Sequence, residues 1–142
     1  MSSANAYDLF KAALVAAAAP YRVIDADEIA PELAQGGEPF FALFADMASE
    51  MQMSIGSPTN AEWNEMGVFG VKCFVPTGDS YRDARLLVDG IRDALRALWI
   101  GTPRMMTINN CHPGLQTGSH RGLWTEMTFE CEYTRWFSAA VA

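Results

Sequence analysis

From Leu123 to Phe137 the chain alternates: Met127, Phe129, Cys131 and Tyr133 fall on one side of an extended strand, and Glu126, Thr128, Glu130 and Glu132 on the other. Side chains of a strand point to opposite faces with a period of two, so this segment needs one dry face and one wet face. An all-parallel sheet, covered on both sides, would not leave a row of glutamates in water. The chain must therefore build a sheet with a single apolar face and supply helices to cover it.

Two segments have the helical period. Ser80 to Ile100 places Ala84, Leu87, Val88, Ile91, Leu95 and Leu98 at i, i+3, i+4 and i+7 spacings, with Arg82, Arg85, Asp89, Arg92, Asp93 and Arg96 on the remaining surface. Ser80 with Asp83 resembles a capping box, and Gly101 stands where a C-terminal stop belongs. Its charged pairs contribute only tenths of a kcal/mol, about 0.2–0.5 each, so the apolar stripe holds the helix. Ser3 to Ala19 is the other, with Tyr7, Phe10, Leu14 and Ala17 at steps of three and four and Pro20 just beyond its end.

Strands fill much of the rest. Phe40 to Met47 is nearly all apolar, and Glu50 to Ile55 sets Met51, Met53 and Ile55 against Glu50, Gln52 and Ser54, as two strands or one long bent strand. After the turn cluster Gly56 to Asn60, Trp63 to Val75 places Phe69, Val71, Cys73 and Val75 on one face, and Gly67 and Gly70 mark a bulge or a close backbone approach. Tyr21 to Gly37 reads as a loop holding at most a short strand at Val23-Ile24. Arg104 to Asn110 reads as a short strand, and Cys111 to Gly122 as a turn-rich loop. The expectation is one α+β domain over 1–142: a mainly antiparallel sheet of four to five strands flanked by two helices, in the order α-β-β-β-α-β-β.

Composition narrows the function. The 142 residues carry a net charge of -7, and Lys11 and Lys72 are the only lysines. Gripping a phosphate backbone needs clustered cations, so tight nucleic-acid binding is excluded. No run reaches the roughly 18–20 apolar residues of a membrane span, and Ala12 to Ala19 lacks a basic segment before it. Synthesis in a cytosol is expected, with Cys73, Cys111 and Cys131 as reduced thiols.

The chemistry-bearing residues form no convincing catalytic set. Cys111, His112, His120 and Cys131 are metal-ligand types without the paired spacings that pre-position zinc ligands. Cys111 or Cys73 with His112 or His120 offers a nucleophile and base, yet nothing local marks a thiolate. Glu126, Glu130 and Glu132 read more simply as a wetted strand face than as paired acid and base. Neither Gly36-Gly37 nor Gly67-x-x-Gly70 precedes a helix, so neither cradles phosphate. The eight methionines fill a core or make an adaptable contact surface. No catalytic residue, metal or cofactor is expected.

The order of motifs resembles a known family. Gly67 leads into a strand ending Cys73-Phe74-Val75-Pro76-Thr77-Gly78, followed by the helix with Ala84-Arg85-Leu86-Leu87-Val88-Asp89 and Ile91-Arg92. Gly122-Leu123-Trp124 then opens a long strand ending Cys131-Glu132-Tyr133-Thr134-Arg135. Across about Ala6 to Arg135 this is similar to the tail terminator family of long-tailed, siphophage-type bacteriophages and gene transfer particles. The resemblance implies a structural virion protein of the tail and neck, made in the host cytoplasm. Its subunits would form a ring, typically of six, that caps the head-proximal end of the tail tube and stops its polymerisation. Its partners would be copies of itself, the tail tube protein and a head-completion (stopper) protein, with DNA passing through the lumen without specific binding and no membrane contact. Glu126, Glu130 and Glu132, together with Glu50 and Gln52, are the candidate lumen or partner-facing surface, the last strand's glutamates standing without a basic neighbour. The alternatives are a neck or adaptor ring protein and, from another class, a cytosolic enzyme or small-ligand binding module.

Overall fold

The computed structural model describes residues 4–28, 38–52, 62–76, 81–96, 98–100, 106–112, 115–120 and 124–138. Helix α1 (Ala4–Ala18) leads to strand β1 (Arg22–Asp25) and a 3-10 turn, Ala26–Glu28. Strands β2 (Phe40–Gln52) and β3 (Glu62–Pro76) precede helix α2 (Tyr81–Leu95). Strands β4 (Trp99–Ile100), β5 (Met106–Cys111), β6 (Leu115–His120) and β7 (Trp124–Ser138) follow. The class is α+β and the order α-β-β-β-α-β-β is the expected one, with β4 and β6 as short additions. In the sheet the strands run β1-β2-β3-β7-β5-β4, and β6 joins β7 beside β5; among the described residues only β1 on β2 is parallel.

The centre is the antiparallel trio β2, β3 and β7. Each has 13 or 15 residues, and β3 pairs with β7 without a break from Glu62↔Ser138 to Pro76↔Trp124. Alternation sends Phe69, Val71, Cys73 and Val75 of β3 and Met127, Phe129, Cys131 and Tyr133 of β7 to one face. There they meet Ala6, Phe10, Leu14 and Ala18 of α1, spaced by four, and Ala84, Val88, Ile91 and Leu95 of α2. All are buried. Each large side chain so buried is favoured by about 1.5–3 kcal/mol over exposure, so the two helices are held by this face more than by their own propensities. Phe69 is central: its ring stacks on Phe10 at 4.6 Å and on Tyr133 at 4.7 Å.

Several expectations are refined. Phe40 and the residues up to Gln52 form one strand, whose register shifts between Ala45 and Met47; Met53 to Ile55 lie outside the described residues. Helix α2 stops at Leu95 although the apolar pattern runs to Leu98, because Trp99–Ile100 pairs with β5 and the backbone amide of Ile108 donates to the carbonyl of Leu98 at 2.9 Å. The loop expected over Cys111 to Gly122 contains β6, whose Gln116 and Ser119 align with Met127 and Thr125. A strand as long as β7 has backbone groups to pair on both edges, and β5 reaches only as far as Cys131. The three cysteines are not all thiols: Cys111 and Cys131 face each other across β5 and β7, Cα atoms 4.2 Å apart, and are joined as a disulfide, while Cys73 is free and buried.

Gly70 answers the question its position raised. A Cβ there would stand 2.1–2.6 Å from three atoms of the Phe44 ring. The glycine is therefore a close approach, and the bulge lies on β2. Gly70→Ala should destabilise by about 1–3 kcal/mol in urea titration, since the ring must move. In a Phe44→Ala background the same substitution should be neutral or favourable, because alanine is better than glycine in a strand; equal costs in both backgrounds would contradict this packing.

At the first edge Tyr7 Oη donates to Asp25 Oδ1, and Lys11 Nζ stands 3.0 Å from the same oxygen, tying α1 to β1. The Tyr7 hydrogen bond, then Lys11, hold the Asp25 carboxyl below its ordinary pKa. A depressed pKa stabilises the fold above the unfolded carboxylate range and is lost as pH falls through the folded value. Wild type should therefore melt higher than Asp25→Asn above about pH 4, the gap closing toward lower pH; a gap constant from about pH 2.5 to 7 would refute the linkage.

Candidate functional site

The face turned away from the helices carries the candidate residues. Successive rows across it are Arg22, Phe40, Phe74 and Glu126; Ile24, Ala42, Lys72 and Thr128; Phe44, Gly70 and Glu130; and Val68 with Glu132. Strand parity puts all three glutamates here, Glu126 and Glu130 half-buried and Glu132 exposed. From Glu126 to Glu132 the row spans about 20 Å. Trp124, Phe40, Phe74, Ala42 and Ile24 form a second, smaller apolar cluster at one end, with Phe40 stacked on Phe74 at 4.8 Å and edge-on to Trp124 at 5.2 Å.

The row does have basic neighbours, which corrects the sequence reading. Lys72 aligns with Thr128, between Glu126 and Glu130, and its Nζ lies 5.5 Å from the centre of the Phe44 ring. Gly70 lets Phe44 lie flat on the sheet, and Phe44 in turn supports the lysine stem. His112 Nε2 stands 3.5 Å from Glu132 Oε1, and its backbone amide donates to the carbonyl of Glu130 at 2.8 Å. Both side chains are half exposed, so even a protonated His112 gains less than about 1 kcal/mol here. The periodicity of β7 located the acids; it contained nothing about which cations sit on β3 and after β5.

Glu50 and Gln52 are on β2 beyond the bulge, where their side chains lie outside the described residues. Their backbone positions align with Glu65 and Trp63, whereas the rows of Met47, Ser49 and Met51 align with Val68, Met66 and Asn64. The register thus places Glu50 and Gln52 in rows out of phase with those of Glu126, Glu130 and Glu132. One inserted residue at Ala45/Met47 is enough to move every later position to the other face.

On the helix side, a polar group went unnoticed in the sequence. Glu65 and Arg135 are 0% and 1% exposed and directly paired in register. Tyr133 Oη donates to Glu65 Oε2, Arg135 Nη1 stands 3.7 Å from Glu65 Oε1, and Oε1 accepts no hydrogen bond among the described residues. The signal was present: Arg135 continues the odd-numbered apolar series of β7, and Glu65 shares parity with Phe69 and Val71. Taking such a pair out of water costs about as much as its attraction returns, so the pair by itself adds little stability, whereas removing one partner would leave a buried charge uncompensated.

None of the three cysteines is an available thiolate. Cys111 and Cys131 are spent on each other, and burial pushes the Cys73 thiol well above its ordinary pKa. No group of three or more His, Cys, Asp or Glu among the described residues is placed to hold a metal ion, and no helix among them is long and apolar enough to cross a membrane. Compared with protein-family models and with curated proteins, the chain has no match in either.

Thiol counting checks the cysteine assignment. Without reductant the native protein should leave Cys73 unlabelled, the denatured protein should label once, and reduction should raise the count to three. Replacing both Cys111 and Cys131 by Ser should cost about 3 kcal/mol, as expected for a loop of this length, 20 residues. Three reactive thiols before reduction would overturn the pairing.

Proposed function

We propose that this chain is a tail terminator subunit: a structural virion protein whose ring caps the head-proximal end of a phage tail tube, ends its growth and joins it to the head-neck complex. The observation that carries the reading is the order of elements around the matching motifs. Strand β3 ends at Cys73-Phe74-Val75-Pro76, α2 follows from Tyr81 with its apolar stripe on the sheet, and β7 runs from Trp124 through Arg135. These are the positions at which the resemblance needs a strand, an amphipathic helix and a long final strand.

The mechanism needs no covalent step. One subunit offers different surfaces to its two neighbours in a contact that closes by rotation, leaving two ring faces for different partners. Growth stops because the upper face lacks the surface that the next tube subunit recognises. The acidic row of Glu126, Glu130 and Glu132 is assigned to the lumen. At physiological salt its repulsion of phosphate reaches about 8 Å, enough to keep a duplex off the wall without holding it. Lys72 and His112 temper the local field, while the net charge of -7 keeps the whole subunit repulsive to DNA.

Electron microscopy of the protein mixed with its tube subunit tests the reading: capped tubes of limited length are expected, and tubes that elongate as if the protein were absent would refute it. Joint replacement of Glu126 and Glu130 by Lys should slow DNA ejection or trap DNA in assembled particles, and unchanged ejection would remove these residues from the lumen.

A further inference from the structure

Four large hydrophobic side chains are prominently exposed among the described residues, and they divide between the two sides of the domain. Met66, 48% exposed, and Trp136, 45%, are on the open face of β3 and β7. Because Met66 aligns with Thr134, Glu132 and Trp136 flank it diagonally on the next strand, within reach of long side chains. Leu86, 55% exposed, is on the side of α2 opposite its buried Ala84, Val88, Ile91 and Leu95, one turn from the exposed Arg82. Val15, 48% exposed, is on the outward side of α1 with the exposed Ala12 and Ala16. One side of the molecule thus offers Met66 and Trp136 beside an anion; the other offers Leu86 one turn from the cation Arg82 and also from Asp83 and Asp89, with a small-residue surface nearby.

We propose that these two surfaces bind each other in successive copies of the chain, the open sheet face of one subunit receiving the outer helix face of the next. Leu86 packs on Met66 and Trp136, and Arg82 reaches Glu132 and the Trp136 ring. Arginine over an indole is the strongest common pairing of this type, and the exposed Glu132 supplies the opposite charge. The patches lie on opposite sides of one rigid domain, so neither can satisfy itself within a subunit. The contact is therefore head-to-tail, and it closes as a ring or propagates. This rests on the ring reading above and specifies its subunit interface. Glu132 marks the boundary between the acidic part of the face and the apolar part that is covered.

Sedimentation of two blocked variants, alone and mixed, tests it. Wild type should associate with increasing concentration. Leu86→Glu retains only a working sheet face and Trp136→Glu only a working helix face, so each should be monomeric at every concentration. An equimolar mixture should form a 1:1 dimer and nothing larger. Far-UV circular dichroism confirms that each exposed-site variant is folded. In a second arm, Arg82→Glu and Glu132→Arg should each weaken association by about tenfold, and the double reversal should restore it. A monomeric wild type, a mixture that stays monomeric, or association abolished by only one of the two substitutions would overturn the proposal. Tube capping is read separately on the wild-type protein: a mixed dimer that forms as expected, together with wild-type rings that leave tubes uncapped, keeps the interface and refutes the terminator function.

Discussion

Phe69 is the residue through which the two layers are joined. Its ring is stacked between Phe10 of α1 and Tyr133 of β7, with Tyr7 edge-on at 6.1 Å. Aromatic contacts of this kind add about 0.5–1.5 kcal/mol each beyond the area they bury. More important is what they connect: the N-terminal helix, the middle strand and the last strand meet at one side chain, so Phe10, 59 positions before Phe69, and Tyr133, 64 positions after it, join one core. Tyr133 extends the connection through its hydroxyl to the buried Glu65, and Glu65 meets Arg135 across the same strand pair. The buried apolar face sets the register of the long β3–β7 ladder, because a slip of one residue would turn every one of these side chains to the other face.

That register determines what the opposite face displays. With β3 and β7 locked, Lys72 must stand between Glu126 and Glu130, and Met66 between Glu132 and Trp136. The face is consequently not uniform. One end is closed by its own small cluster around Phe40, Phe74 and Trp124, the middle is charged, and the far end exposes apolar side chains. Gly70 is the local device that makes the middle possible, because any larger residue would lift Phe44 from the sheet and with it the support of Lys72. The face is thus graded along its length from acidic to apolar.

The disulfide and the bulge show where reading the sequence stopped. Cys131 was legible as a core position from its alternation with Phe129 and Tyr133, but Cys111 stood at the edge of a segment read as a loop. That the two meet depends on how β5 lies along β7, which no local pattern encodes. Likewise the alternation from Glu50 onward was real, yet the inserted residue between Ala45 and Met47 decided which face each position joined. The helix beginning at Tyr81 was legible from its stripe; its end at Leu95 was not, since β4 captured the following residues for the sheet.

By itself the sequence determined the periods: two helices, long alternating strands, one dry face and an acidic row on β7. These follow from the geometry of single elements, in which a side chain's direction depends only on its position along the helix or strand. Tertiary structure alone decided which strands are neighbours and in what register, and therefore that Lys72 and His112 accompany the glutamates, that Cys111 reaches Cys131, and that Met66 and Trp136 share one exposed patch. Those are relations between residues far apart in the chain, and they exist only once burial at Phe69 and its partners has closed the loops between them.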